Sequence, residues 1–191
     1  MKKIYTWTTL FLLMILIQSC RHSNNNVNKT TQPEKLPGKT AVNSNEEAYG
    51  NINQIVFGRY CGECGNHCAT MYRYSMEGNR NSFSADFTDD YFKRKKEITF
   101  NTYLNDKFHL DIGNEIVSNI PDTILKSDKS SERFGCPDCA DGCGIYFELT
   151  KDNKKHQFYI DYQTSQLTGK IKPFAEFLRE KIDQLNKKNG L

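Results

Sequence analysis

The chain has 191 residues and a formal net charge of +3, with 26% charged and 37% hydrophobic residues. Removing Lys2 and Lys3 takes +3 to +1. That near-neutral balance argues against a nucleic-acid binder, in which a basic excess or stripe is usual.

Lys2 and Lys3 open the chain, and an apolar run follows that is densest over residues 10–17. The run is shorter than the roughly 20 apolar residues a spanning helix needs. A charged start, a short apolar stretch and a small residue before a break mark a cleaved secretion signal. The break is Ile17-Gln18-Ser19-Cys20. It resembles the bacterial lipobox, which has an aliphatic residue three positions before the cysteine and a small one directly before it. Gln18 departs from the small or aliphatic residue usual there. Residues 1–19 are therefore expected to be a lipoprotein signal peptide and Cys20 the lipidated residue. A lipobox cysteine resembles those that receive a diacylglycerol and often an N-acyl chain. At roughly 0.8 kcal/mol per buried methylene, two or three chains hold durably where one holds marginally.

Residues 20–48 read as the lipidated cysteine and a flexible tether. The stretch carries Asn24-Asn25-Asn26, several Thr and Lys and two prolines, with almost no large apolar residue. Such a composition buries too little surface to offset its ordering entropy. Residues 49–191 remain, a single-domain size.

With Cys20 assigned to lipid, six cysteines are left in two clusters, Cys61-Gly-Glu-Cys64-Gly-Asn-His-Cys68 and Cys136-Pro-Asp-Cys139-Ala-Asp-Gly-Cys143. A constant offset of 75 residues superimposes Cys61, Cys64 and Cys68 on Cys136, Cys139 and Cys143. It also pairs Tyr72 with Phe147, Phe83 with Phe158, Asp86 with Asp161 and Phe87 with Tyr162. The pattern predicts two pseudo-repeated units, each a cysteine turn followed by a hairpin.

In the first unit, a strand at Met71-Tyr72-Arg73-Tyr74 leads to a turn at Glu77-Gly78-Asn79. Residues 82–87 then alternate at period two. Ile98-Thr99-Phe100 is expected to add a strand, and residues 112–125 a short helix interrupted at Pro121. In the second unit, residues 145–149 lead through a polar turn at 151–155 to a strand over 157–162. Pro173 suits a first helical turn, after which Phe174, Phe177, Leu178, Ile182 and Leu185 fall at helical spacing. The expected fold is α+β: an antiparallel sheet of about five or six strands with a C-terminal amphipathic helix packed on it.

Cys61, Cys64, Cys68, Cys136, Cys139 and Cys143 admit three readings. Export to an oxidising compartment and an even count favour structural disulfides, with 15 possible connectivities. A zinc site is the alternative, with Cys61, Cys64, Cys136 and Cys139 as a tetrahedral thiolate set and His67 as a substitute ligand. Cys68 and Cys143 would then be left to pair with each other. Thiol–disulfide exchange is the third. A redox C-x-x-C usually sits where a helix N-terminus depresses the thiol pKa, and both clusters here lead into strand-like sequence.

Elsewhere no catalytic constellation is visible: HExxH, GxSxG and Walker patterns are missing. His22 falls in the tether, His109 reads as a partly buried histidine, and His156 opens a strand. Asp138 and Asp141, inside the second cysteine loop, are expected to cap turns. Asp86 and Asp161 are expected to match for reasons of fold. Lys93-Arg94-Lys95-Lys96, flanked by Asp89, Asp90 and Glu97, reads as a solvated turn or helix end.

Phe134-Gly135-Cys136-Pro137-Asp138-Cys139-Ala140-Asp141, with Cys61-Gly62-Glu63-Cys64 upstream, resembles a family of small exported proteins of Bacteroidota. The resemblance covers residues 52–186 and implies an address, with no established activity. Related sequences often have Gly where this chain has Cys143, which implies that a Cys68–Cys143 bridge would be an addition to the shared core. The residues after Cys20 form no acidic cluster of the kind linked to surface export in such organisms, which points to a periplasm-facing domain. The resulting expectation is a non-enzymatic envelope lipoprotein, membrane-bound through its anchor. Its disulfide-stapled domain would bind a protein partner or ligand, without a cofactor. A thiol-redox or zinc protein acting through the two clusters is the alternative.

Overall fold

A computed structural model describes residues 51–62, 64–78, 80–89, 91, 98–137 and 139–191, with the side chain of Asp141 left out. The signal peptide, Cys20, His22, the tether, Asp90, the basic run at 93–96 and Asp138 lie outside the described residues.

The order of elements is β1 (Ile52–Cys61), β2 (Ala69–Glu77), β3 (Arg80–Asp86), β4 (Thr102–Tyr103), α1 (Lys107–Ser118), α2 (Asp122–Leu125), β5 (Ser131–Phe134), β6 (Cys143–Lys151), β7 (Lys154–Asp161) and α3 (Ile171–Lys188). The seven strands form one sheet in the order β4-β3-β2-β1-β6-β7-β5. The α+β class and the C-terminal helix are as expected. The sheet has more strands than expected and is mixed, because β5 runs parallel to β7.

The centre of the sheet is the strand that periodicity did not reveal. Ile55, Val56 and Phe57 of β1 are buried in succession. A strand covered on both faces has no alternation to read. Ile98-Thr99-Phe100 is not a strand; β4 begins two residues later and pairs only through Thr102 and Tyr103. The side chains of Ile98 and Phe100 pack against one face of the sheet, which is why they looked strand-like. The helix expected over 112–125 starts earlier and is two helices. Asp106 caps α1, accepting from the His109 backbone N–H at 3.2 Å, and Pro121 separates α1 from α2.

Both hairpins lie against β1 in matching register. Phe57 stands opposite Tyr72 on one side and Phe147 on the other. The correspondence stops at the second strands. Tyr72 faces Ala85, whereas Phe147 faces Phe158. The β6–β7 hairpin turns through Asp152 and Asn153, both at positive φ (50° and 60°), the conformation that suits a two-residue hairpin loop. In the segment where the 75-residue offset would place a second β1, the chain instead forms the short edge strand β5.

The two faces of the sheet are covered differently. Ile55, Phe57, Tyr72, Tyr74, Phe83, Phe147 and Phe158 form one core with Ile112 and Ile116 of α1 and Phe174, Leu178, Ile182 and Leu185 of α3. α1 comes close because residue 113 is glycine: a Cβ there would lie 2.5 Å from the Tyr74 ring. On the opposite face, Val56, Tyr60, Ala69, Met71 and Tyr146 form a smaller cluster with Tyr91, Ile98, Phe100 and Tyr159.

Candidate functional site at the cysteine end of the sheet

Strand pairing brings all six cysteines of the domain to one end of the sheet. β1 ends at Cys61 and β6 begins at Cys143. These two residues stand opposite each other in the β1–β6 ladder with Cα atoms 4.0 Å apart, joined by a disulfide. Cys64–Cys68 closes the loop that leaves β1, and Cys136–Cys139 closes the loop that enters β6. The two loops meet where the Gly62 N–H donates to the Gly142 carbonyl at 3.1 Å.

The six sulfurs are thus paired as three bridges. The four cysteines of the zinc alternative are divided among them: Cys61 bonds to Cys143, Cys64 to Cys68, and Cys136 to Cys139. Cys68 and Cys143 do not pair with each other. His67 is exposed beside Cys68. Among the described residues, no three His, Cys, Asp or Glu converge on a point that could hold a metal ion.

Each short loop is anchored at its rim. The Cys61 N–H donates to the Cys68 carbonyl at 2.8 Å. Asp161, buried at the end of β7, accepts the Cys136 N–H at 3.0 Å through Oδ2 and the Gln163 N–H at 2.8 Å through Oδ1. Arg133 Nη1 donates to the Pro137 carbonyl at 3.3 Å. Asp86, the residue paired with Asp161 in the sequence, closes the same kind of turn by accepting from the Thr88 N–H at 2.8 Å. Its Oδ2 has no hydrogen-bond partner among the described residues. Aspartate side chains that bond two residues ahead hold turns of this kind.

A polar aromatic cluster adjoins the bridges on the face opposite α1 and α3. The Tyr60 ring lies 5.5 Å from Tyr91 and 6.3 Å from Tyr159, and Tyr146 lies 5.4 Å from Tyr91 and 5.5 Å from Tyr159. Tyr60 stands opposite Gly144 in the ladder. A Cβ on residue 144 would meet the Tyr60 ring at 2.4 Å, so glycine is what lets the ring cross β6. Buried Glu148 accepts from Tyr146 Oη at 2.8 Å and from Gln157 Nε2 at 3.3 Å, and pairs with the exposed Lys155 ammonium at 3.3 Å. Arg133 stacks on Tyr159 at 5.3 Å. This group was hidden in the sequence because β1 was. Tyr146 and Tyr159 sit at the alternate positions of two strands that periodicity did reveal, and that was the available signal.

Burial raises the Tyr146 hydroxyl far above its usual range, with the Glu148 carboxylate adding to it. Burial does the same for Tyr91 and, on the helix side, for Tyr72. An unfolded tyrosine ionises near pH 10. Above that pH the unfolded chain sheds protons that the folded domain keeps, so the stability these groups contribute is full below pH 10 and falls as pH climbs. The urea midpoint is expected to drop as pH rises above about 10, with the tyrosinate absorbance of Tyr72, Tyr91 and Tyr146 appearing only as the domain unfolds. Ionisation of all tyrosines near pH 10 in the folded domain would contradict this.

The histidines lie elsewhere. His109 is buried in the first turn of α1, with Nδ1 2.7 Å from Asp106 Oδ2 and its ring 5.5 Å from Phe83. His156 Nδ1 lies 2.8 Å from the Lys129 carbonyl. Neither joins the cysteine end.

No protein-family model matches the chain, and no curated protein and no solved structure matches it.

Proposed function

We propose that this is an envelope lipoprotein, anchored through Cys20, whose domain acts by binding a partner. The observation that carries the reading is the cysteine arithmetic. Setting Cys20 aside for lipid leaves six cysteines, and those six are joined in three bridges. Disulfides persist in oxidising compartments outside the cytosol, which agrees with the secretion signal at residues 1–19. The resemblance of residues 134–141 to small exported proteins of Bacteroidota agrees with the same address. The likeness between the two hairpins fits an origin by duplication of a hairpin unit on a shared β1.

Binding is supported by the composition of the face opposite α1 and α3, where Arg133 and Lys155 border the tyrosine cluster. Tyrosine and arginine dominate the energetics of protein interfaces. A partner in the envelope, reached by a domain on a flexible tether, is the corresponding role.

The anchor is tested by Cys20→Ala. The parent chain is expected to incorporate labelled palmitate and to sediment with membranes. The variant is expected to lose the label and appear in the soluble fraction. A variant that still sediments with membranes refutes the assignment. Capture of partners from cross-linked envelopes then addresses the binding role, using the soluble variant as the displaced control.

A further inference from the structure

We propose that the cysteine end of the sheet is a thiol–disulfide exchange site. Cys64–Cys68 and Cys136–Cys139 are its reactive bridges, Cys61–Cys143 is the permanent one, and dithiols are the substrate class. This activity does not depend on the binding role.

Three observations separate the bridges. The first is access. Cys64, Cys136 and Cys139 are exposed; Cys68 and Cys143 are both half-buried, and Cys61 is only 8% exposed within the strand ladder, so each short bridge presents an exposed sulfur and the long one does not. An attacking thiolate must reach sulfur in line with the bond it breaks, so exposed bridges exchange first. The second is what each bridge closes. The reactive pairs span 4 and 3 residues, whereas Cys61–Cys143 spans 82. Opening a short loop releases only that loop. The cysteines of the long bridge would stay opposed in the β1–β6 register, with Cα atoms 4.0 Å apart, and so would re-close readily. The third is backbone conformation. His67, directly before Cys68, has φ 55°, and Ala140, directly after Cys139, has φ 50°. Residues with a Cβ rarely adopt this left-handed region unless something holds them there. Once a loop opens, these residues are free to leave it, and closure is less favoured.

The fold is built to survive the opening. The bonds from Asp161 to the Cys136 N–H and from Arg133 to the Pro137 carbonyl do not involve sulfur. Neither does the backbone bond between Cys61 and Cys68, nor the one between the two loops.

In the exchange, a thiolate of the dithiol attacks one bridge sulfur, forming a mixed disulfide as the protein S–S bond breaks. The displaced cysteine thiolate takes a proton from solvent. The second thiol of the donor then attacks the mixed disulfide and releases the other cysteine. The donor ends as a disulfide, two electrons poorer, and the protein gains two electrons and two protons.

The test uses the full mature chain in detergent, titrated with dithiothreitol at neutral pH, quenched with an alkylating agent and mapped by mass. Cys64, Cys68, Cys136 and Cys139 are expected to be labelled at a dithiol concentration about tenfold or more below that needed to label Cys61 and Cys143, with the near-ultraviolet tyrosine signal unchanged. A Cys136→Ser, Cys139→Ser double variant is expected to keep that signal and to lose two labelled sites, with Cys64 and Cys68 titrating as before. Opening of Cys61–Cys143 at the same dithiol concentration overturns the proposal. So does resistance of all three bridges until the tyrosine signal collapses.

Discussion

Substituting Cys61→Ala together with Cys143→Ala is expected to lower the stability of the domain by about 4–5 kcal/mol. The bridge closes a loop of 82 residues, and a cross-link of that span removes a correspondingly large share of loop-closure freedom from the unfolded chain. Its two cysteines stand opposite each other in regular strand pairing, so the folded state needs no rearrangement to form it. Removing either short bridge is expected to cost less, because a loop of 3 or 4 residues restrains few unfolded conformations. Urea unfolding of the three double variants gives the comparison. If the Cys61/Cys143 pair costs no more than the Cys136/Cys139 pair, the assignment of roles among the bridges is wrong.

Phe57→Ala is expected to cost about 3–5 kcal/mol, the range for a large aromatic side chain lost from a core. Phe57 is fully buried in the central strand. It stands between Tyr72 and Phe147 across the two ladders, with its ring 5.8 Å from Tyr72 and 6.2 Å from Phe83. Removing it leaves a void where both hairpins meet, and neither can close on it without breaking register with β1. Phe108→Ala is the control, since that ring is exposed and lies outside the core. A Phe57→Ala loss as small as that of the control would show that β1 is not the energetic centre of the sheet. Unfolding of the purified variant at room temperature agrees with the expected size of the loss in a marginally stable domain.

The hairpins were legible because their signals are local. Gly78 and the Asp152-Asn153 pair mark the turns, and residues 82–87 and 157–162 alternate because Phe83 and Ala85, and likewise Phe158 and Ile160, point their side chains into the helix-side core. The C-terminal helix was legible for the same reason: the residues from Phe174 to Leu185 repeat at the period of a helix lying on a sheet. β1 was not legible. Its neighbours on both sides and the layers on both faces bury Ile55, Val56 and Phe57 alike, and uniform burial erases the period. β5 was not legible either. Ser131–Phe134 is short and polar, and its parallel place beside β7 depends on where α2 releases the chain.

The candidate site divides in the same way. That the six cysteines form two matched clusters follows from their spacing, which left bridges, a zinc site and thiol exchange all open. Which sulfur joins which does not. Cys61 meets Cys143 because β1 and β6 pair with Tyr60 opposite Gly144, and Cys68 is then left to Cys64 at the end of its own loop. The tyrosine cluster has the same origin, since Tyr60, Tyr146 and Tyr159 come from three strands that adjoin only in the folded sheet. Turn residues and hydrophobic period act over a few residues, so the local elements, the class of fold and the cysteine clusters could be read along the chain. The central strand, the bridge partners and the polar aromatic face depend on a register between segments distant in the chain, and they emerge only when those segments pair.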